Sequence, residues 1–252
     1  MQKVQAIILA ASPYSETTLL VQMLTREAGV VRGLAKGARR GQKSQAVFDL
    51  LAWVETALSG RSGGERLVTL GETRLRQGWD YLRRDMALQA YAALGIEVLG
   101  MLAAESPPES FHFDEGCRFL TYLEHTRGPG SAAIALLLRM MHHAGQYPHL
   151  AEPARAGEGR PASWVYEFSS HELRPGTPDD DLTRPGVMRL AAGVIEPLRE
   201  ALRRPPAIEE MPPLGAGQGP DALRWLVRIW EDQLGRPIRS MAFLEEMVLR
   251  SR

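Results

Sequence analysis

At Trp79 the sequence changes its period, and that switch constrains the fold more than any other feature. Before it, apolar residues come in short runs separated by turn residues. Val4–Ala11 alternates, placing Val4, Ala6, Ile8 and Ala10 on one face, the period of a half-buried strand. Ser12-Pro13-Tyr14-Ser15 breaks that run. The spacing predicts further strands over Thr18–Leu24 and Gly29–Lys36, joined by TREAG, and over Leu50–Ser59 and Arg66–Thr73, joined across GRSGG. Five short strands in about 70 residues, with one longer basic connection between the third and fourth, suggest a small barrel of the OB type. An SH3-like barrel accommodates the strand count almost as well.

Beyond Trp79 the apolar spacing is that of helices. Asp80–Ala104 places Leu82, Met86, Tyr91, Leu94, Val98 and Leu102 along one helix, and Pro107-Pro108 ends it. Gly116–Thr126 reads as a second helix, and Ser131 as the cap of a third, AAIALLLRMMHHA, closed by Gly145. Tyr147–Gly186 holds six prolines and four glycines among polar residues, with one strand-like patch at Trp164–Phe168. It reads as an irregular insertion. Helices resume at Val187–Arg203, stop at Pro205-Pro206, and resume at Asp221–Leu234, where Leu223, Leu226, Val227, Trp230 and Leu234 share a face and Gly235 closes the helix. Ser240 caps a last short helix. The expected fold class is α+β and multidomain. An N-terminal five-stranded OB-type barrel occupies residues 1–79, and an all-α helical domain occupies 80–252, with the irregular insertion at about 147–186.

Charge enters because the net of zero hides an asymmetry. Residues 1–43 hold seven basic and two acidic residues, a local net of +5, and the rest of the chain carries −5. A whole-chain electrostatic argument for nucleic acid fails, while a local one at the N-terminus stands. No run approaches the roughly 20 apolar residues of a membrane helix, and the opening MQKVQAIILA reads as a buried strand rather than a secretory signal. The single cysteine, Cys117, excludes an intrachain disulfide and a thiolate zinc site made by one chain. A reduced, cytoplasmic setting is expected.

The stretch LAKGARRGQKS, 34–44, comes close to a phosphate-binding loop. That loop needs G-x-x-x-x-G-K-[ST], so that successive backbone N–H groups surround a phosphate while the adjacent lysine reaches over it. Here three residues separate Gly37 from Gly41, Gln42 precedes Lys43, and QAVFDLLAWV continues as strand-like sequence. The stretch fits a grip on a nucleic-acid backbone better. Lys36, Arg39, Arg40 and Lys43, with Arg26 and Arg32 on the preceding segments, supply six cations in 18 residues against Glu27 alone. Binding of that kind is driven largely by counterion release. Tyr14, Phe48 and Trp53 are candidate stacking residues, each also a candidate for the core. His142 and His143 are adjacent and point about 100° apart on a helix, so they do not chelate as an i, i+4 pair. His149 and His171 lie in the insertion without partnering cysteines, and no metal site is expected. Asp179-Asp180-Asp181 reads as a solvated turn. No nucleophile elbow, H-E-x-x-H or Cys/His pair makes a case for catalysis.

These elements, taken in order, resemble the RecO family of bacterial DNA-repair proteins. Pro13-Tyr14-Ser15-Glu16, Leu24-Thr25-Arg26-Glu27, Gly29, Ala35-Lys36-Gly37-Ala38-Arg39-Arg40 and Lys43-Ser44 carry the likeness. It continues through LSGRSGGERLVTLGETRL and Tyr81-Leu82-Arg83-Arg84-Asp85, and returns at Leu234-Gly235-Arg236-Pro237-Ile238-Arg239-Ser240. The resemblance implies an N-terminal OB domain, a helical domain and a recombination-mediator role without catalysis or a cofactor, in a nucleoid-associated protein. It implies binding of single- and double-stranded DNA, annealing of complementary strands, and action with RecR and often RecF to help RecA displace single-strand-binding protein. The C-terminal tail of that binding protein is an expected partner, and on the helical domain Arg127 and Arg139 are candidates to meet an acidic peptide tail, with no site fixed by the sequence. The positions Lys36, Arg39, Arg40 and Lys43 would contact DNA backbone. Many members carry a four-cysteine zinc module after a proline like Pro148, and this chain has no cysteine there. A protein adaptor with little DNA affinity of its own is the competing reading, supported by the acidic remainder of the chain.

Overall fold

The computed structural model describes residues 2–39, 47–60, 67–125, 128–151, 161–181, 183–215 and 217–249. They form two compact units, Met1–Arg127 with Arg239–Arg252, and Gly128–Ile238.

The first unit is built on five strands, β1 (Gln2–Pro13), β2 (Leu19–Thr25), β3 (Gly29–Ala35), β4 (Trp53–Ser59) and β5 (Val68–Gln77). They close into a barrel in the order β1-β2-β3-β5-β4. β1 is long enough to pair with β4 through its first half and with β2 through its second. The seam is a short parallel pairing of β3 with β5, Gly33↔Val68 to Ala35↔Leu70. This is the connectivity of an OB barrel, as the sequence pattern predicts. The inner face carries Val4, Ala6, Ile8, Val21, Met23, Val31, Val54, Leu58, Val68 and Leu70. Ala10, expected on that face, is exposed because the β1–β2 register shifts between Ile8 and Ala10. One extra residue in a strand reverses which side chains point inward.

Two helices of this unit lie on the outside of β1, namely α1 (Met86–Glu105) and α2 (Phe111–His125). Glycines allow the close approach. A Cβ on Gly116 would meet Ile7 Cδ1 at 3.0 Å, and one on Gly100 would meet Leu9 Cδ1 at 3.0 Å. Ile7 and Leu24 are thereby fully buried although they face away from the barrel interior. The predicted helix over Asp80–Ala104 is split at Asp85, whose carboxylate accepts from Ala87 N and Leu88 N and so starts α1. By length and hydropathy α1 is apolar enough to cross a membrane, which the sequence reading did not expect. Two-thirds of its apolar window is buried inside the protein, as befits a central helix that is apolar on most of its circumference.

Carboxylates tie this unit together across long sequence distances. Glu124 on α2 accepts from Tyr81 N and Leu82 N at 2.9 Å each, fixing the exit from the barrel. Trp79 adds a bond from Nε1 to Leu51 O at 3.0 Å. Glu97 on α1 accepts from Arg239 N and Ser240 N, at 3.1 and 2.7 Å, and so caps the helix α7 (Arg239–Leu244). Ser240, the expected cap, instead buries its hydroxyl.

The second unit pairs α3 (Pro129–His143) and α6 (Gln218–Leu234) with short helical segments, α4 (Ala192–Ile195) and α5 (Arg199–Arg203), and a small sheet. That sheet stands where the sequence reading expects an irregular insertion. Its strands are β6 (His149–Leu150), β7 (Ser163–Glu167), β8 (Glu172–Pro175) and β9 (Val187–Ala191), in the order β6-β8-β7-β9. Strands of two to five residues flanked by proline and glycine leave too little alternation to see. β9 also replaces the predicted start of the helix at Val187. Trp164, Tyr166, Leu173 and Leu190 are buried on one face, and the Tyr166 ring meets Trp225 of α6 edge-on at 5.6 Å.

Candidate nucleic-acid interface

The β2–β3 ladder positions the first candidates. Thr25↔Gly29 closes the hairpin at one end and Leu19↔Ala35 marks the other. Arg32 lies mid-strand on β3 opposite Gln22, and it is exposed. Lys36 begins the turn that leaves β3, and is also exposed. Among the described residues neither cation has an ion-pair partner. In barrels of this connectivity the strand 2–3 face, with the loops between strands 1–2 and 4–5, carries oligonucleotides.

The turn after β3 is tightly specified. Gly37 adopts a left-handed conformation, φ 76°, which a side chain disfavours. Ala38 then drops into the barrel core. Arg39 turns back toward the β1–β2 loop, where Nη1 donates to Ser15 O at 2.7 Å and its backbone N–H donates to Thr17 O at 3.2 Å. Arg40 and Lys43 lie outside the described residues.

Arg26 is placed differently. It sits in the β2–β3 turn, at the opposite end of the hairpin from Lys36, and its Nε donates to Asp114 Oδ1 of α2 at 2.9 Å. The hydrogen bond to Asp114, reinforced by its charge, holds the guanidinium proton more tightly than in a free arginine. Burial alone would raise the Asp114 carboxyl, but hydrogen bonds from Arg26 and Ser110 outweigh it and hold the group below the usual carboxylate range. Arg26 is thus engaged by α2 at the surface. The structure groups Arg32, Lys36 and Arg39 and sets Arg26 apart.

Of the three candidate stacking residues, Phe48 belongs to the barrel core and Trp53 packs edge-on against Phe113 at 6.1 Å. Tyr14, in the β1–β2 loop, is 59% exposed. Sequence reasoning missed Ser15 and Thr17 as the anchors of Arg39. No periodicity signals a guanidinium and its own backbone N–H reaching main-chain oxygens 24 and 22 positions away. Other arginines of the barrel are paired locally, Arg74 with Glu72 and Arg76 with Glu55.

The remaining chemical candidates have structural roles. His142 contacts Leu202 O at 2.9 Å and stacks on Tyr147 with centroids 4.7 Å apart. His171 Nδ1 lies 2.9 Å from the Tyr166 hydroxyl. Asp180 accepts from Arg174 at 2.7 Å and from Thr177 N at 2.6 Å, making a built turn of what the sequence suggests is a solvated one. Burial, aided by the Asp114 charge, pushes the Cys117 thiol up to about 12, where it is not a nucleophile at neutral pH. Arg127 lies outside the described residues, and Arg139 is half-buried on α3.

Comparison with known families matches residues 1–79 to the family described as recombination protein O N terminal, and residues 83–242 to recombination protein O C terminal. The chain is 28% identical over 246 residues to the DNA repair protein RecO of Syntrophotalea carbinolica, covering 96% of this chain and 93% of that one. It is 28% identical over 253 residues to the DNA repair protein RecO of Anaeromyxobacter dehalogenans, covering 97% and 96%. The Bacillus subtilis protein of the same name is 27% identical over 151 residues, 60% of this chain.

Proposed function

The chain belongs to the recombination protein O family of DNA repair and recombination proteins, and on that premise we propose that it is a non-enzymatic DNA-binding and strand-annealing mediator. It binds single- and double-stranded DNA through its barrel and helps RecA replace single-strand-binding protein on single strands. The observation that carries this reading is the pair of exposed cations, Arg32 and Lys36, on the strand 2–3 face and rim of an OB barrel, unpartnered among the described residues. Arg40 and Lys43 follow within seven residues of Lys36 in sequence.

The mechanism is electrostatic. Phosphates of two complementary strands repel each other, and cations on one surface lower that repulsion while releasing condensed counterions. Pairing then nucleates between strands held at high local concentration. RecR, RecF and the C-terminal tail of single-strand-binding protein are the partners this role calls for, in the cytoplasm and at the nucleoid.

The test is annealing of complementary oligonucleotides coated with single-strand-binding protein, followed across a salt series. The expected result is an acceleration that fades as salt rises and is reduced by Arg32→Ala with Lys36→Ala. No acceleration at any salt would replace this reading with that of an adaptor working through protein contacts.

A further inference from the structure

We propose that Arg39 is a positioning residue rather than a phosphate contact, and that it holds Tyr14 in solvent as the platform on which a base stacks. The proposal rests on the DNA-binding reading above and adds a division of labour within that surface.

The β1–β2 loop runs from Tyr14 to Thr18, between Pro13 and Leu19, which are paired in register. It closes on itself, because Tyr14 N and Ser15 N both donate to Thr18 O, at 2.9 and 3.2 Å. Arg39 then fastens it from outside. The bond from Nη1 to Ser15 O is a charge-assisted one at 2.7 Å, and the bond from Arg39 N to Thr17 O secures the next peptide but one. The fastening point is itself fixed by Ala38 in the core and by the left-handed turn at Gly37.

Tethered through Nη1 to Ser15 O, the guanidinium keeps its charge but has fewer conformations from which to wrap a phosphate. What the arrangement displays instead is Tyr14, a large aromatic side chain left exposed on a loop restrained by four hydrogen bonds. Pairing Pro13↔Leu19 and Leu19↔Ala35 puts Tyr14 and Lys36 just beyond the same register level of β1 and β3, the two strands that flank β2. A strand whose backbone meets Lys36 therefore has an aromatic platform one hairpin away. Aromatic stacking tolerates every base, because every base has a π-face.

The experiment uses the full chain and measures binding of labelled oligothymidylate and of an abasic oligomer of equal length, each across a salt series. Variants are Tyr14→Ala, Tyr14→Phe, Arg39→Ala and the Tyr14→Ala/Arg39→Ala double, with thermal melting as the check on folding. Tyr14→Ala is expected to weaken oligothymidylate binding roughly five- to 150-fold and to leave abasic binding unchanged, while Tyr14→Phe stays close to wild type. Arg39→Ala is expected to weaken oligothymidylate binding without changing the salt slope, and the double variant to be no weaker than Tyr14→Ala alone. A slope that falls by about 0.7 in Arg39→Ala, with losses that add in the double variant, would make Arg39 a phosphate contact and overturn the proposal. Equal weakening of both oligomers by Tyr14→Ala would overturn the stacking role. A wild-type chain that binds neither oligomer at low salt would overturn the DNA-binding reading first, a result separable from all of these.

Discussion

The two sheets of this protein differ in how far their positive charges are committed to partners within the fold. Around the small sheet of the second unit, arginines are engaged by neighbouring groups. Arg174 pairs with Asp180, Arg184 faces Glu167 at 3.5 Å, Arg189 donates to Thr177 O, and Arg199 lies over the Trp164 ring at 5.5 Å. On the barrel, Arg26, Arg74 and Arg76 are likewise paired, but Arg32 and Lys36 have no ion-pair partner among the described residues. Counting cations does not separate these regions, whereas asking what each cation touches does. A guanidinium already bonded to a carboxylate has its charge largely compensated and gains less from meeting a phosphate. An unpaired one releases only water and ions.

The largest effects are expected where each sheet meets its core. Trp164→Ala should destabilise the protein by about 3–5 kcal/mol, because the ring is fully buried and also bonds Glu196 and supports Arg199. Denaturant unfolding checks this, and a loss below about 1 kcal/mol would mean the sheet does not depend on its aromatic face. Gly33→Ala should cost less, about 1–3 kcal/mol, since the added Cβ would lie 2.6 Å from Leu70 Cδ2 and 3.0 Å from Val68 Cγ2 at the barrel seam. The same unfolding measurement reads it.

A smaller, pH-dependent effect belongs to Asp180. Its hydrogen bond from Arg174, followed by that from Thr177 N, holds its carboxyl below the ordinary value of 3.8. A depressed folded-state value means the stabilisation is present above 3.8 and is lost as pH falls further. Asp180→Asn should therefore cost about 1 kcal/mol at pH 7 and progressively less below pH 3.8. A difference from wild type that stays constant down to pH 2.5 would contradict the pairing. The smallest effect is expected at Arg26. Arg26→Ala should leave the salt slope of DNA binding unchanged, because that cation is already bonded to Asp114.

The barrel was legible in the sequence because its strands are long enough to alternate and its turns carry Gly29 and Gly60 in left-handed conformations. The second sheet was not, since β6 and β8 are two and four residues long and owe their pairing to a core completed by Trp225 on α6. That sheet occupies the position where the family resemblance points to a zinc module, and here aromatic burial organises it. At the candidate site, residue type and local charge pointed to the right stretch of chain. They did not separate Arg26 from Arg32, because the discriminating partner, Asp114, is 88 positions away. Nor did they show that Arg39 turns back across the surface to Ser15.

On the proposed reading, the barrel cations Arg32 and Lys36, unpaired among the described residues, meet the DNA backbone, and the paired cations of the second unit do not. The direct measurement is the salt dependence of single-strand binding for three chains: wild type, Arg32→Ala/Lys36→Ala, and Arg184→Ala/Arg228→Ala. The barrel variant should lower the slope of log K against log salt by about 1.4, while the second pair leaves it at the wild-type value. An unchanged slope in the barrel variant, or an equal fall in both, would contradict the claim.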